Sequence, residues 1–407
     1  MQRHKSLAAA SRIFSLRSPW TIFWAALIIR LIYISFLKEG YYFSDFRSYE
    51  QAALSLLSGD GFGAEYDRPP LYPIFLAGNY LLFGAHFFPV RVVQAILAAL
   101  GSCLIYRISS CTLNERAGRI AGWVSVFYPY YIFISGLLYP TLLSAFLHIC
   151  VIYLVLLSVQ KKSVWATVGA GVCLGFATLG TPVSLAFLPL LILWYLLTSN
   201  IFRQRRIVQA SISLVVVILC LLPWTYYNYE RTGRLVLLDA RAGEHLPYFT
   251  AEDTSAAARK AAYQSRMQTI LAHPGKFLSR TAEEFLHFWS FVPDRVVTKS
   301  LDYRQRVHQE DERLVVQHPF TASWLDYVSI LTYGPVFFLA LAGMALCVSQ
   351  WRILSLIFLL LMSQALGYSL FFTQVRYRLP VEFCLMIFAA AGLDALLRKY
   401  REKPITA

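Results

Sequence analysis

Long apolar runs, separated by short polar segments, dominate the pattern along the chain. Runs such as 208–224 and 353–372 approach the roughly 20 apolar residues that a helix needs to cross the hydrocarbon layer of a membrane. Their apolar residues are continuous and lack the strict alternation of membrane β-barrel strands. The pattern therefore predicts an all-α polytopic membrane protein, a helical bundle of about ten spans. We place the spans at 20–37, 88–107, 117–137, 140–158, 164–180, 183–199, 208–224, 325–347, 353–372 and 379–396.

The basic residues predict the orientation of these spans, because cytoplasmic segments are enriched in Lys and Arg. All the basic segments, and both termini, fall on the cytoplasmic side if residues 70–84 do not cross the membrane. That segment is short and begins after Arg68-Pro69, so we expect a re-entrant or interfacial helix there. The basic residues that decide the orientation are Arg3, Lys5, Arg12, Arg17, Arg107, Arg116, Arg119, Lys161, Lys162, Arg203, Arg205, Arg206, Arg352, Arg398, Lys399, Arg401 and Lys403.

Two extracytoplasmic segments follow from this topology, and we expect them to form a small soluble part. The longer one carries helical patterning at 255–272 and 275–290, separated by His273-Pro274. The chain thus divides into a transmembrane module at 1–224 that includes the first external loop at 38–87, an external helical domain at 225–322, and transmembrane helices at 323–407.

Composition and charge agree with a membrane protein. Of the 407 residues, 57% are hydrophobic and 15% are charged, against about 25% charged residues in soluble domains. The net charge of +14 raises nucleic acid as a partner. Because Lys and Arg cluster between the spans, we expect no nucleic acid partner. The seven cysteines lie in or beside apolar runs without metal-binding spacing, which indicates core residues.

The stretch "YYFSDFRSYE" places a carboxylate, Asp45, where the chain leaves the first span. Behind it, apolar residues recur at helical spacing, which predicts an interfacial amphipathic helix that ends near Ser58-Gly59. Asp45 is then the N-cap of this helix, a role that needs no further function. A carboxylate at the lipid–water boundary can also act as a general base, and the two roles are compatible. The apolar face consists of Phe46, Tyr49, Ala52, Ala53, Leu56 and Leu57.

Several stretches, in order, resemble the membrane glycosyltransferases of the GT-C fold. Within that class the chain looks most similar to the bacterial relatives of protein O-mannosyltransferases and of the lipid A aminoarabinose transferase, a family 39-like group. Beside the Asp45 region, the stretches are "RPPLYPIFLAG" (68–78), "SGLLYPTLLSAFL" (135–147), "LPWTYYNYERTGRLVLL" (222–238), "ILAHPGKFLSRTAEEFLHFWS" (270–290) and "RYRLPVEFCLMIFAAAGL" (376–393).

The resemblance implies transfer of a sugar from a polyprenyl-phosphate donor to an extracytoplasmic glycan, lipid or protein acceptor. It implies an inverting enzyme in the plasma membrane, the inner membrane of a bacterium, with Asp45 as the general base. The chain departs from the group at two places. Relatives often carry an acidic residue where this chain has Tyr139-Pro140, and an Arg before Pro where it has Thr181-Pro182.

Such chemistry needs cations for the leaving phosphate, and a guanidinium can neutralise phosphate without a metal. The candidates on the external side are Arg68, Arg376 and Arg378. Alternatively, Arg376 and Arg378 snorkel to the surface and form an ion pair with Glu382. We expect no metal and no other cofactor. The remaining candidate residues of a substrate site are Glu50, Tyr66, Asp67 and Glu382, whereas the histidines and glutamates of the long external loop are read as surface or capping residues.

Two other classes of protein fit a polytopic helical bundle. A transporter or flippase of lipid-linked sugars would show internal halves and charged or broken helices near the membrane midplane. Here the charges concentrate at the external face, and the sequence has no visible repeat. A non-catalytic membrane assembly subunit is the third possibility, and it is favoured by the lack of an acid at 139–140.

Overall fold

The computed structural model describes residues 18–40, 45–63, 66, 68–198, 203–233, 236–238, 268, 270–292, 324–371 and 373–401. Within these residues the regular structure is entirely helical, which confirms the predicted all-α fold. The helices are α1 Pro19–Ser35, α2 Asp45–Ser58, α3 Leu71–Phe83, α4 Phe87–Thr112, α5 Glu115–Phe127, α6 Pro129–Gly136, α7 Pro140–Gln160, α8 Val164–Gly180, α9 Phe187–Thr198, α10 Arg203–Thr232, α11 Pro274–Phe288, α12 Trp324–Leu346, α13 Trp351–Ser369, α14 Val375–Arg378 and α15 Glu382–Arg401.

Six of the described helices are long and apolar enough to cross a membrane, so the chain is a multi-pass membrane protein. They are the segments Phe87–Thr112, Pro140–Gln160, Gln204–Arg231, Asp326–Leu346, Val348–Ser369 and Val375–Lys399. Four further apolar helices are shorter, and α3 is one of them. With 13 residues, α3 is about 20 Å long, which is less than the thickness of the hydrocarbon layer. The count of ten spans stays a prediction.

The segment predicted as one span at 117–137 consists of two helices. Helix α5 ends at Phe127 and α6 begins at Pro129. Between them Tyr128 is extended, with φ −69° and ψ 113°. A residue that precedes proline is pushed away from the helical region because the proline ring collides with it. Tyr128-Pro129 therefore breaks the span, and the short helix α6 leads to Tyr139.

Close packing of small residues brings α15 into the centre of the bundle. Helices α12 and α15 make the most extensive contact between described helices. They cross where Gly343 meets Phe388 and Gly392 meets Leu339: a Cβ added to Gly392 would lie 2.3 Å from the Leu339 carbonyl oxygen. Small residues allow helices in a membrane to approach this closely. This crossing anchors the helix that follows Arg376 and Arg378.

Polar contacts divide the bundle into two ends. At one end, Asn114 and Arg116 contact Asp394, with an Arg116 Nε to Asp394 Oδ1 distance of 3.3 Å. At the other end, the Gly136 carbonyl accepts a hydrogen bond from Arg91, and the Thr373 hydroxyl donates one to Glu284. We call the first the basic end, because the predicted cytoplasmic residues Arg116 and Arg398 contact Asp394 there, and Arg107 and Arg119 lie on the adjoining helices α4 and α5. We call the second the site end.

Candidate active site

The helix predicted behind Asp45 is present as α2, and it begins at Asp45 itself rather than one residue later. Asp45 is thus the first helical residue instead of the N-cap. The predicted apolar face is largely confirmed, since Phe46, Tyr49, Ala52 and Ala53 are buried. Glu50, expected on the polar face, is also buried, and it accepts a hydrogen bond from the Tyr80 hydroxyl at 3.5 Å. Glu50 therefore lies inside the contact between α2 and α3.

Arg68 lies next to α2. Helix α2 stops at Ser58, and Gly59 follows in the left-handed region with φ +90°, where glycine has no steric penalty. Further along, the Tyr66 hydroxyl donates to the Pro69 carbonyl at 2.7 Å. The guanidinium carbon of Arg68 lies 5.6 Å from the centre of the Tyr49 ring, which is a cation–π distance. The Arg68 guanidinium thus lies beside Tyr49, which follows Asp45 by one turn of α2.

Tyr139 joins α2 to the segment that carries Arg376. Its ring meets the Tyr49 ring edge to face, with centroids 5.6 Å apart and an interplanar angle of 87°. The guanidinium carbon of Arg376 lies 5.4 Å from the Tyr139 ring centre and 5.2 Å from the Tyr377 ring centre. The structure therefore brings Arg68 and Arg376 to one aromatic group. We call Tyr49, Arg68, Tyr139, Arg376 and Tyr377 the arginine–tyrosine cluster.

Arg378, two residues further along, makes different contacts. Its side chain is buried, and its Nε donates to Glu382 Oε1 at 2.7 Å. Its Nη1 donates to the carbonyl oxygens of Phe288 and Ser290, both at 2.9 Å, and its guanidinium carbon lies 3.5 Å from the Tyr333 ring centre. These contacts join α14, α15, α12 and the end of α11. Arg378 and Glu382 thus form the internal ion pair that the sequence left open as an alternative.

Tyr66 belongs to a second aromatic group beside the cluster. It is buried and stacks on Phe62, with ring centroids 5.6 Å apart. Phe62 in turn meets Trp224 and Tyr227 of α10. Arg231, near the end of α10, donates to the Tyr66 carbonyl. Tyr66 therefore ties the first loop to α10. The neighbouring candidate Asp67 lies outside the described residues.

A hydrogen-bonded latch, consisting of Glu284, His287 and Thr373, was missed by the sequence analysis. Glu284 Oε2 accepts from the Thr373 backbone N–H at 2.8 Å and from its hydroxyl at 2.5 Å. His287 Nδ1 lies 3.2 Å from the same hydroxyl. Helix α11 is thereby fixed to the short non-helical segment just before Arg376. The sequence carries no signal for this contact, because the partners lie 89 residues apart.

Among the described residues, no three or more His, Cys, Asp or Glu side chains come together as a group that could hold a metal ion. The absence of a metal requirement stays a prediction.

The family model described as "Dolichyl-phosphate-mannose-protein mannosyltransferase" matches residues 67–227, a segment that contains Arg68 and Tyr139 but neither Asp45 nor Arg376. The comparison with curated protein sequences gave no match.

The fold defines the class of protein: the chain has the GT-C fold of membrane glycosyltransferases. It is similar to ArnT from Cupriavidus metallidurans bound to undecaprenyl phosphate, with a TM-score of 0.58, 18% identity, and coverage of 92% of this chain and 60% of ArnT. It is also similar to the apo oligosaccharyltransferase of Archaeoglobus fulgidus, with a TM-score of 0.58, 14% identity, and coverage of 94% and 51%. The chain thus spans only half to three fifths of the length of these relatives.

Proposed function

We propose that the chain is a membrane glycosyltransferase that moves a sugar from a polyprenyl-phosphate donor to an acceptor. The main support is the meeting of Arg68 and Arg376 on one aromatic group beside the start of α2. A leaving phosphate needs fixed positive charge, and guanidinium groups bind phosphate oxygens through paired hydrogen bonds. The related ArnT structure contains undecaprenyl phosphate, which is a lipid of this kind.

The proposed reaction is a single displacement at the anomeric carbon. The acceptor hydroxyl oxygen attacks this carbon while the bond from the carbon to the phosphate oxygen breaks. Asp45 takes the hydroxyl proton as general base, and the electron pair of the broken bond stays on polyprenyl phosphate. Arg68 and Arg376 stabilise this leaving charge. Attack opposite to the leaving group inverts the configuration of the sugar.

The other candidate residues have different roles in this proposal. Arg378 and Glu382 hold α14 and α15 in place, and Glu50 and Tyr66 shape the first loop. Asp67, next to Arg68 in sequence, stays a candidate for contact with the sugar. We assign no metal to the reaction, because two arginines can carry the phosphate charge. Transfer that persists in excess EDTA would agree with this assignment, and loss restored by Mg²⁺, Mn²⁺ or Zn²⁺ would contradict it.

We place the enzyme in the plasma membrane, the inner membrane of a bacterium, with the site end facing away from the cytoplasm. Both termini are then cytoplasmic, as the basic end is. The acceptor is a glycan, a lipid or a protein at the outer face, and its choice is assigned to the 225–322 segment. Membrane lipids surround the bundle.

The experiment is an assay of the purified protein in lipid nanodiscs. Undecaprenyl-phosphate-linked hexose and pentose are supplied with a cell-envelope extract as acceptor, and released undecaprenyl phosphate is measured. We expect Asp45→Asn to fold normally and to abolish release, and Arg376→Ala to raise the KM for the donor. Asp60→Asn is the matched control, since Asp60 is an exposed carboxylate of the same loop. Full activity of Asp45→Asn would exclude its role as base. Movement of intact donor across the bilayer without release would indicate a transporter instead.

A further inference from the structure

Tyr139 is the residue that connects the two candidate phosphate-binding arginines. Its ring contacts the Arg376 guanidinium directly. It also contacts the Tyr49 ring, over which the Arg68 guanidinium lies. It also meets Phe46, the residue after Asp45, with ring centroids 6.1 Å apart. Removing this ring would therefore open a gap between α2 and the Arg376 segment.

The backbone that carries Tyr139 is firmly held. Gln94 Nε2 donates to the carbonyl oxygens of Leu137, at 2.7 Å, and Ser135, at 3.1 Å. Arg91 Nε donates to the Gly136 carbonyl at 3.1 Å, and the Tyr139 N–H donates to the Leu137 carbonyl at 3.0 Å. Pro140 then begins α7, so Tyr139 is extended, with φ −146° and ψ 149°. The ring is thus presented from a rigid turn.

The chemistry of the Tyr139 ring differs from that of a carboxylate at the same place. A carboxylate next to Arg376 would pair with the guanidinium and cancel its charge. The face of an aromatic ring attracts a cation through its quadrupole but carries no net charge. A guanidinium that rests on Tyr139 is therefore oriented by a ring that adds no net charge beside it.

We propose that Tyr139 is a positioning residue that holds Arg376, and through Tyr49 also Arg68, on an uncharged aromatic support, so that both arginines bind the phosphate of a lipid phosphate. This inference rests on the proposed function.

The test compares three substitutions of Tyr139 in nanodiscs, with radiolabelled undecaprenyl phosphate as the binding probe. Tyr139→Phe keeps the ring and should keep the affinity within about threefold. Tyr139→Leu removes the ring and should weaken binding by about tenfold. Tyr139→Glu introduces an acid and should weaken binding at least as much, because its charge attracts the Arg376 guanidinium and opposes the phosphate. Tyr153→Leu is the control, since Tyr153 is a half-buried tyrosine of the following helix, α7.

Turnover separates positioning from simple loss of packing. We expect Tyr139→Leu to raise the KM for the lipid-linked donor more than it lowers kcat, with recovery in Tyr139→Phe. Equal affinity of Tyr139→Leu and wild type overturns the inference and leaves the proposed function standing. If Tyr139→Glu binds undecaprenyl phosphate more tightly than wild type does, the claim that the support must be uncharged is overturned. Failure of the wild type to bind the probe at all overturns the proposed function, and the inference with it.

Discussion

Arg378 and Glu382 form an ion pair inside the bundle, one helical turn apart, with Nε and Oε1 at 2.7 Å. The side chains are 0% and 1% exposed. Arg378 also bonds two carbonyl oxygens at the end of α11 and lies on the Tyr333 ring. Because both charges are removed from water, each depends on the other. The pair fixes the helix that begins just after Arg376.

We predict that removing either partner of this pair alone destabilises the protein strongly. Glu382→Ala or Arg378→Ala leaves an unpaired buried charge, which costs about 3–5 kcal/mol. The double variant Arg378→Met/Glu382→Leu removes both charges and should be closer to wild type. Thermal unfolding in detergent, followed by intrinsic fluorescence, measures the differences.

The same helix supplies the control for this prediction. Arg398 and Asp394 are also four residues apart, at 2.8 Å, but the Arg398 side chain is 56% exposed. Arg398→Ala should therefore cost no more than about 1 kcal/mol. Equal costs for Arg378→Ala and Arg398→Ala would contradict the structural role of the buried pair.

The sequence pattern predicted those parts of the fold and site that depend on residues close to one another in the chain. The buried face of α2 and its stop before Gly59 follow from helical periodicity and from glycine, and the structure confirms both. The break at Tyr128-Pro129 was predictable too, because proline restricts the residue before it. The prediction of one span at 117–137 followed instead from the continuous apolarity of this segment.

Contacts between residues that are far apart in the chain could not be predicted from the sequence. Glu50 looks like a surface residue of an amphipathic helix, but Tyr80 of α3 covers it. Arg376 and Arg378 looked like equivalent candidates, and only packing separates them: one lies on Tyr139, the other on Tyr333. No periodicity encodes which tyrosine an arginine meets when the two come from different helices.

We predict that the latch between Glu284 and Thr373 supports donor binding. Glu284→Ala removes the acceptor of the Thr373 N–H and leaves a buried donor unpaired, at a cost of about 1–3 kcal/mol. The segment that carries Arg376 should then loosen, so the KM for the lipid-linked donor should rise. The neighbouring Glu283 is exposed, and Glu283→Ala should leave both stability and KM close to wild type. If Glu284→Ala is destabilised but its KM is unaltered, the latch contributes to stability and not to donor binding.

We predict that the crossing of α12 and α15 tolerates no side chain at its glycines. An added Cβ at Gly392 would lie 2.3 Å from the Leu339 carbonyl oxygen, a backbone atom that cannot move aside. Gly392→Ala should therefore cost at least about 1–3 kcal/mol, the usual range for overpacking. Gly78→Ala is the control, because an added Cβ there meets no atom within 4 Å. Comparable yield and unfolding temperature of the two variants would refute the tight crossing.

We predict that Cys111 reports the sidedness of the bundle. It is exposed, it lies near the end of α4, and the next helix begins at the basic end with Arg116 beside Asp394. If that end is cytoplasmic, a membrane-impermeant maleimide should label Cys111 only after the cells are permeabilised. The measurement uses a variant in which Cys111 is the sole cysteine. A second cysteine-free variant carrying Asp60→Cys, in the exposed turn after α2, should be labelled in intact cells. Labelling of Cys111 in intact cells would indicate the opposite orientation of the bundle. Asp45, Arg68 and Arg376 would then lie on the cytoplasmic side, away from an extracytoplasmic acceptor.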